Sequence, residues 1–304
     1  MNVYSFLINL NDKKHFIDSN ESYLIKNNNQ YIDYCFEING VKIAFYKSNK
    51  VVVQGKNATN IMSKYFNKYL ERQNEIMDIA KPTKPINFNK YEYFVGSDEV
   101  GVGDYFGGLV VCAVSLSQQD EIKAQSLGIN DSKKLTDEKI LQLAPKLMEF
   151  INYKIAEINP EQYNLLIDKY QNSHVLKTLL HNRALLSVVD NNREKSLVIL
   201  DQFAESNNYY NYLNKLKETN WIKINIFETK AESKYTCVAC ASVIARYFFL
   251  KQIQNLSKKV DIQLPLGAWN KQIESKAIQL KSKVGFDNLN QFVKLHFKNT
   301  EKIK

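Results

Sequence analysis

Cysteine, proline and glycine are scarce in this chain of 304 residues, numbering four, five and ten. Four cysteines without a secretory leader make no disulfide framework and fit a reducing cytoplasm. Cys237 and Cys240 form a Cys-x-x-Cys pair, but no second pair and no histidine pair accompanies it. The surrounding CVACASVIA has the small apolar residues of a packed helix face. The histidines, His15, His174, His181 and His296, are scattered and share no metal-ligand spacing, so they suggest no histidine-based chemistry. No apolar run approaches the roughly 20 residues that span a bilayer. The opening MNVYSFLINLNDKK lacks a basic leader and a small-residue cleavage site, so no membrane partner is expected. Serine-nucleophile motifs and glycine-lysine phosphate loops are also missing.

What the chain has in excess is positive charge, 41 Lys and Arg against 32 Asp and Glu, for a net +9. Such a balance suits a polyanion, because each phosphate neutralised releases counterions. Residues 1–78 read as a small α+β unit. Val3, Phe6 and Ile8 alternate with polar neighbours as in a first strand, and IDYCFEI puts Ile32, Tyr34, Phe36 and Ile38 on one face. Asn39-Gly40 is a hairpin signal before VKIAFYK, a Ser48-Asn49 turn precedes KVVVQG, and Ile61, Met62, Tyr65, Phe66, Tyr69 and Leu70 recur at helical spacing. Pro82 and Pro85 forbid a continuous helix, which makes 79–91 a linker.

From 92 to 304 strand and helix signals alternate. YEYFVG, GLVVCAVSL, NYKIAEI, SLVILD and WIKINIF predict strands; 137–150, 160–191 and 233–255 predict helices. That order implies a three-layer α/β domain with a mixed central sheet. Acidic residues stand at awkward places in it. Asp98 and Glu99 follow a strand inside the glycine-rich GSDEVGVGDYFGG, Asp201 ends the buried SLVIL, and Glu232 precedes a small-residue helix. A carboxylate at a buried strand end is costly unless paired, hydrogen-bonded or bound to metal, and such ends are where α/β sites are built. Singly, each reads better as a helix cap, a turn former or a surface acid; it is the combination that points to a site.

Together, GSDEVGVGDYFGG (96–108), GINDSKKL (128–135), LVILDQF (197–203), KAESKYTCVACASVIAR (230–246) and KLHFKNT (294–300) closely resemble ribonuclease HIII, one of the type 2 ribonucleases H. YKSNKVVVQGKNA resembles that family's N-terminal TBP-like substrate-binding module, which ribonuclease HII lacks. The resemblance implies a ribonuclease H-like domain after a TBP-like one, with Asp98, Glu99, Asp201 and Glu232 as catalytic, metal-holding carboxylates. It implies hydrolysis of the RNA strand of RNA–DNA hybrids with two Mg²⁺ or Mn²⁺ ions; the cysteine usage suits the cytoplasm, and nothing in the sequence requires more than a monomer. Glu232 stands where many relatives carry Asp, Gly101-Val102-Gly103 where ribonuclease HII carries Gly-Arg-Gly, and Gly108 where relatives usually carry Pro. Leu266 and Trp269 fall in an LPxGA region without a reading of their own.

Gly101, Val102 and Gly103 are candidates for backbone approach to the 2′-hydroxyl, and Ser132 and Lys133 for phosphate contacts. Tyr209, Tyr210 and Tyr212 read as a surface loop, with base stacking the alternative. Competing with the hybrid endonuclease are incision at single embedded ribonucleotides and a non-catalytic nucleic-acid-binding protein on a nuclease fold.

Overall fold

The computed structural model describes residues 2–71, 86–129 and 135–303, and the chain divides into two compact units, Met1–Lys81 and Pro82–Lys304. In the first, β1 (Asn2–Leu7), β2 (Ile32–Ile38), β3 (Val41–Tyr46) and β4 (Lys50–Gly55) form an antiparallel sheet of order β1-β4-β3-β2. Asn39 and Gly40 both take positive φ, the requirement of a tight hairpin whose twist matches its strands. Phe36, Ile38, Val41, Ile43, Phe45, Val51 and Val53 face a core closed by Phe16 of α1 (Leu10–Ser19) and Met62 of α2 (Ala58–Tyr65).

Two local expectations change here. A register shift between Ile32 and Tyr34 puts Ile32 out of step with Tyr34, Phe36 and Ile38, while Tyr34 pairs with Phe45 and keeps the face of Phe36 but remains exposed near the start of β2. The helix expected through Leu70 stops at Tyr65; Phe66 adopts φ −134° and ψ 31°, and its ring stacks on Phe16 at 4.9 Å. Helical geometry resumes at 67.

The second unit holds β5 (Tyr93–Val100), β6 (Leu109–Ser117), β7 (Asn152–Ile158), β8 (Ser196–Asp201) and β9 (Ile226–Glu228), in the order β7-β6-β5-β8-β9. β7, β6 and β5 run as an antiparallel meander, whereas β8 and β9 add in parallel, so the sheet is mixed as expected. Between these strands the chain forms α3 (Gln118–Ser126), α4 (Asp137–Met148), α5 (Pro160–Tyr170), α6 (Ser173–Val189) and α7 (Ser206–Lys215), and after them α8 (Thr236–Val260) and α9 (Lys271–Val284). The long α8 covers one face of the sheet and α6 the other, which gives three layers. By length and composition α8 could cross a membrane, but most of its apolar stretch is buried in this core, with Cys237 and Cys240 among the buried residues.

WIKINIF is a strand only from Ile226. Before it, Ile222 N–H donates to Asn182 Oδ1 and Ile224 N–H to the Tyr210 hydroxyl, so side chains take donors that a ladder would have used. Tyr209 and Tyr210 lie on α7, 0% and 2% exposed, with Phe203 and Phe227 around Tyr209. They are core residues; both the loop and the stacking readings fail for this pair.

Candidate active site

Parallel pairing of β5 with β8 places Ser97 beside Leu200, so the next residues on the two strands, Asp98 and Asp201, become lateral neighbours about 4.8 Å apart along the sheet. Both stand at strand carboxyl ends, Asp98 inside β5 and Asp201 as the last residue of β8. Pleating then separates Asp98 from Glu99. Asp98 shares the α8 side with Gly96 and is hydrogen-bonded with Ser242 of α8, while Glu99 joins Ser97 on the α6 side.

On the α8 side, Asp98 Oδ1 accepts from the Glu99 N–H at 2.8 Å. Burial first, and then the charges of Glu99 and Asp201, push the Asp98 carboxyl up to about 8. Asp201 Oδ1 accepts from the Ala231 N–H at 2.8 Å. That bond ties β8 to the short 3₁₀ turn Ala231–Ser233, which carries Glu232. Burial, and after it the neighbouring Glu232 and Glu99, also raise Asp201. Among the described residues, burial and neighbouring carboxylates on this side thus outweigh the favourable hydrogen bonds and the charge of His181.

The α6 side is compensated. Lys177 Nζ lies 2.8 Å from Glu99 Oε1, and His181 Nε2 lies 2.9 Å from Oε2. His181 Nδ1 in turn meets Ser97 Oγ at 2.8 Å; an imidazole that donates to Glu99 accepts from that hydroxyl. Burial alone would raise Glu99, but His181 and Lys177 outweigh it and hold the carboxyl down at about 2. Phe203 underlies both partners, with Lys177 Nζ 4.2 Å above its ring and His181 stacked at 5.2 Å. Sequence reading missed Lys177, His181 and Phe203. The available signal was a lysine and a histidine four apart, on one face of the otherwise apolar HVLKTLLHNRALL.

Beyond Glu99 the chain turns through Gly101-Val102-Gly103. Gly101 has φ +107°, and a Cβ there would lie 2.6 Å from the Phe249 ring, so packing takes up its missing side chain. Nothing lies within 4 Å of a Cβ on Gly103, which leaves that backbone open to approach. The loop is braced by Lys294, fully buried, whose ammonium donates to the carbonyls of Asp104 and Gly107 at 2.7 Å each. Burial pushes this amine down to about 7. Gly267 N–H donates to Asp104 Oδ1, docking the loop that ends in the exposed Trp269. Ser132 and Lys133 lie outside the described residues.

Comparison with known proteins finds relatives along nearly the whole chain. A family profile described as Ribonuclease HII matches residues 95–300, and one described as a domain of unknown function matches 8–76. Ribonuclease HIII of Ureaplasma parvum is 36% identical, covering 100% of this chain and 99% of its own. The Streptococcus agalactiae enzyme of the same name is 39% identical over 91% of this chain and 90% of its own. Among solved structures, Bst-RNase HIII in complex with Mn²⁺ superposes with a TM-score of 0.67 at 30% identity, covering 99% of this chain and 98% of that one.

Proposed function

The chain belongs to the ribonuclease HIII family of ribonucleases H, and from that premise we propose that it cuts the RNA strand of RNA–DNA hybrids endonucleolytically with two divalent ions, leaving 3′-hydroxyl and 5′-phosphate ends. The observation that carries this reading is the set Asp98, Asp201 and Glu232, gathered where β5, β8 and the turn before α8 meet, with Asp98 raised by burial, Glu99 and Asp201, and Asp201 by burial, Glu232 and Glu99.

Their fit to Mg²⁺ or Mn²⁺ follows from the donor chemistry. Among the described residues no three His, Cys, Asp or Glu side chains converge into a ready-made cage. Hard ions of this size need none, because they keep several waters and take one or two carboxylates together with substrate phosphates. In the proposed arrangement Asp98 and Asp201 are the primary ligands, and Glu99 and Glu232 complete the two positions. When bound, the ions supply an activated water and stabilise the departing oxygen. Asp98 and Asp201 would hold them as carboxylates, Asp98 giving up, on ion binding, the proton its burial favours, and Ala231 N–H and Ser242 keep these side chains aimed. The open backbone at Gly103, in the turn made by Gly101 and Val102, approaches the ribose 2′-hydroxyl. Ser132 and Lys133 are assigned to flanking phosphates.

Cleavage of a labelled RNA–DNA hybrid is expected in Mg²⁺ or Mn²⁺ and is expected to disappear with chelator. Binding without cleavage under every metal would instead select the non-catalytic reading. A duplex carrying one ribonucleotide, cut as fast as the full hybrid, would select the single-ribonucleotide activity. The enzyme is proposed to work as a monomer, and the four free cysteines suit the cytoplasm.

Residues 1–78 are proposed as a TBP-like substrate-binding module. Their own sheet and closed core support folding without the catalytic unit. Deleting them is expected to raise the KM for hybrid about tenfold while changing kcat little, since uniform binding is what they would contribute. An unchanged KM in the truncated enzyme would refute that role.

A further inference from the structure

Lys177 is out of place by composition. Its helix, α6, buries Val175, Leu176, Leu179, Leu180, Ala184 and Leu185, and Lys177 itself is only 8% exposed. A lysine so placed is costly unless its charge is answered, and here the answer is Glu99. The ammonium is held on a second side by the face of Phe203, 4.2 Å from its centroid, so it cannot swing freely into solvent. His181, one helical turn on, engages the other carboxylate oxygen and is itself fixed by Ser97. Both oxygens of Glu99 therefore already have partners from within the chain. Among the described residues no lysine or arginine is a partner of Asp98 or Asp201, although His181 also favours the charge on Asp201.

We propose that Lys177 is a built-in counter-cation for Glu99, which neutralises that carboxylate before metal arrives and weakens ion binding at the Glu99 end of the site. The inference rests on the reading of Glu99 as a metal ligand. A divalent ion that uses Glu99 Oε1 comes close to the ammonium and is repelled by it, whereas an ion held by Asp98 and Asp201 on the opposite face of β5 is not in direct contact with it. Lys177 is a positioning residue in this scheme: it acts through Glu99 and touches no reacting atom.

The test is Mn²⁺ titration of the metal-free protein by calorimetry, alongside its thermal melting. Lys177→Gln is expected to bind Mn²⁺ about tenfold more tightly than the parent, since the repelling charge is gone while His181 still orients Glu99. Lys177→Arg, which keeps the charge, is expected to stay near the parent. In a Glu99→Gln background the gain from Lys177→Gln is expected to vanish, as a coupling through that carboxylate requires. Metal-free Lys177→Gln is expected to melt lower than the parent and to gain more from Mn²⁺.

Unchanged or weaker Mn²⁺ binding in Lys177→Gln, or a gain that persists without Glu99, would overturn the proposal. If Lys177→Gln is unfolded without metal, recovery of its melting transition in Mn²⁺ supports the proposal, and failure to recover while Lys177→Arg folds overturns it. Loss of the functional reading would look different. In that case the parent would take up no Mn²⁺ that Asp201→Asn abolishes.

Discussion

Asp201→Asn is expected to fold as the parent does and to lose cleavage of the hybrid by roughly 10³-fold or more in kcat. The substitution keeps an amide oxygen able to accept from Ala231 N–H, so the link between β8 and the Ala231–Ser233 turn survives. What goes is the negative charge shared between the proposed ion positions. Removing it also relieves repulsion in a carboxylate already raised by burial and by Glu232 and Glu99, so the metal-free melting temperature should hold or rise. Steady-state cleavage in Mg²⁺ and in Mn²⁺, with a thermal melt of the same preparation, reads both halves. Near-parent turnover in a pure sample would remove Asp201 from the chemistry, and a collapsed melt would make it structural.

The second large effect concerns packing. At Gly96 a Cβ would stand 2.5 Å from the Val238 nitrogen and 2.7 Å from the Cys237 carbonyl carbon, both backbone atoms of α8. No rotamer change relieves a clash with backbone, so Gly96→Ala must push the helix away from the sheet. We expect a loss of about 3 kcal/mol or more, at the upper end of overpacking effects. Activity should fall with it, because α8 carries Ser242, the partner of Asp98, and directly follows the turn holding Glu232. Urea denaturation of Gly96→Ala beside Gly103→Ala separates close approach from glycine chemistry as such, since nothing lies within 4 Å of the latter position. Equal midpoints for the two variants would show that α8 yields without cost.

How much of this was legible beforehand varies with the kind of information each element needs. β6 announced itself through GLVVCAVSL, because a strand buried on both faces must be apolar throughout. The Asn39-Gly40 hairpin was legible for the same local reason: its turn demands positive φ. Carboxylates at the ends of β5 and β8 were visible as charges where burial is expensive. Partners made across the fold were not. Nothing near Glu99 in the chain points to Lys177 or His181, which arrive from 78 and 82 residues away.

The same limit explains the loss of strand over 221–225. Apolar alternation there is real, but Asn182 and Tyr210 capture the backbone donors. Tyr209 and Tyr210 deceived for a related reason, since SNNYYNYLNK has the polarity of a loop while one side of its helix is wholly covered.

The divergence of Asp98 and Glu99 makes β5 a sorting device that works by parity. Even-numbered positions here, Gly96 and Asp98, belong to the α8 side; odd-numbered ones, Ser97 and Glu99, belong to the α6 side. A single inserted or deleted residue between Val95 and Asp98 would therefore transpose the two acids, bringing Asp toward the Lys177 clamp and Glu toward Ser242, with the composition of the site nearly intact. Length, as much as identity, is what the segment GSDE encodes. Anyone transplanting this centre into another sheet must count residues before choosing them.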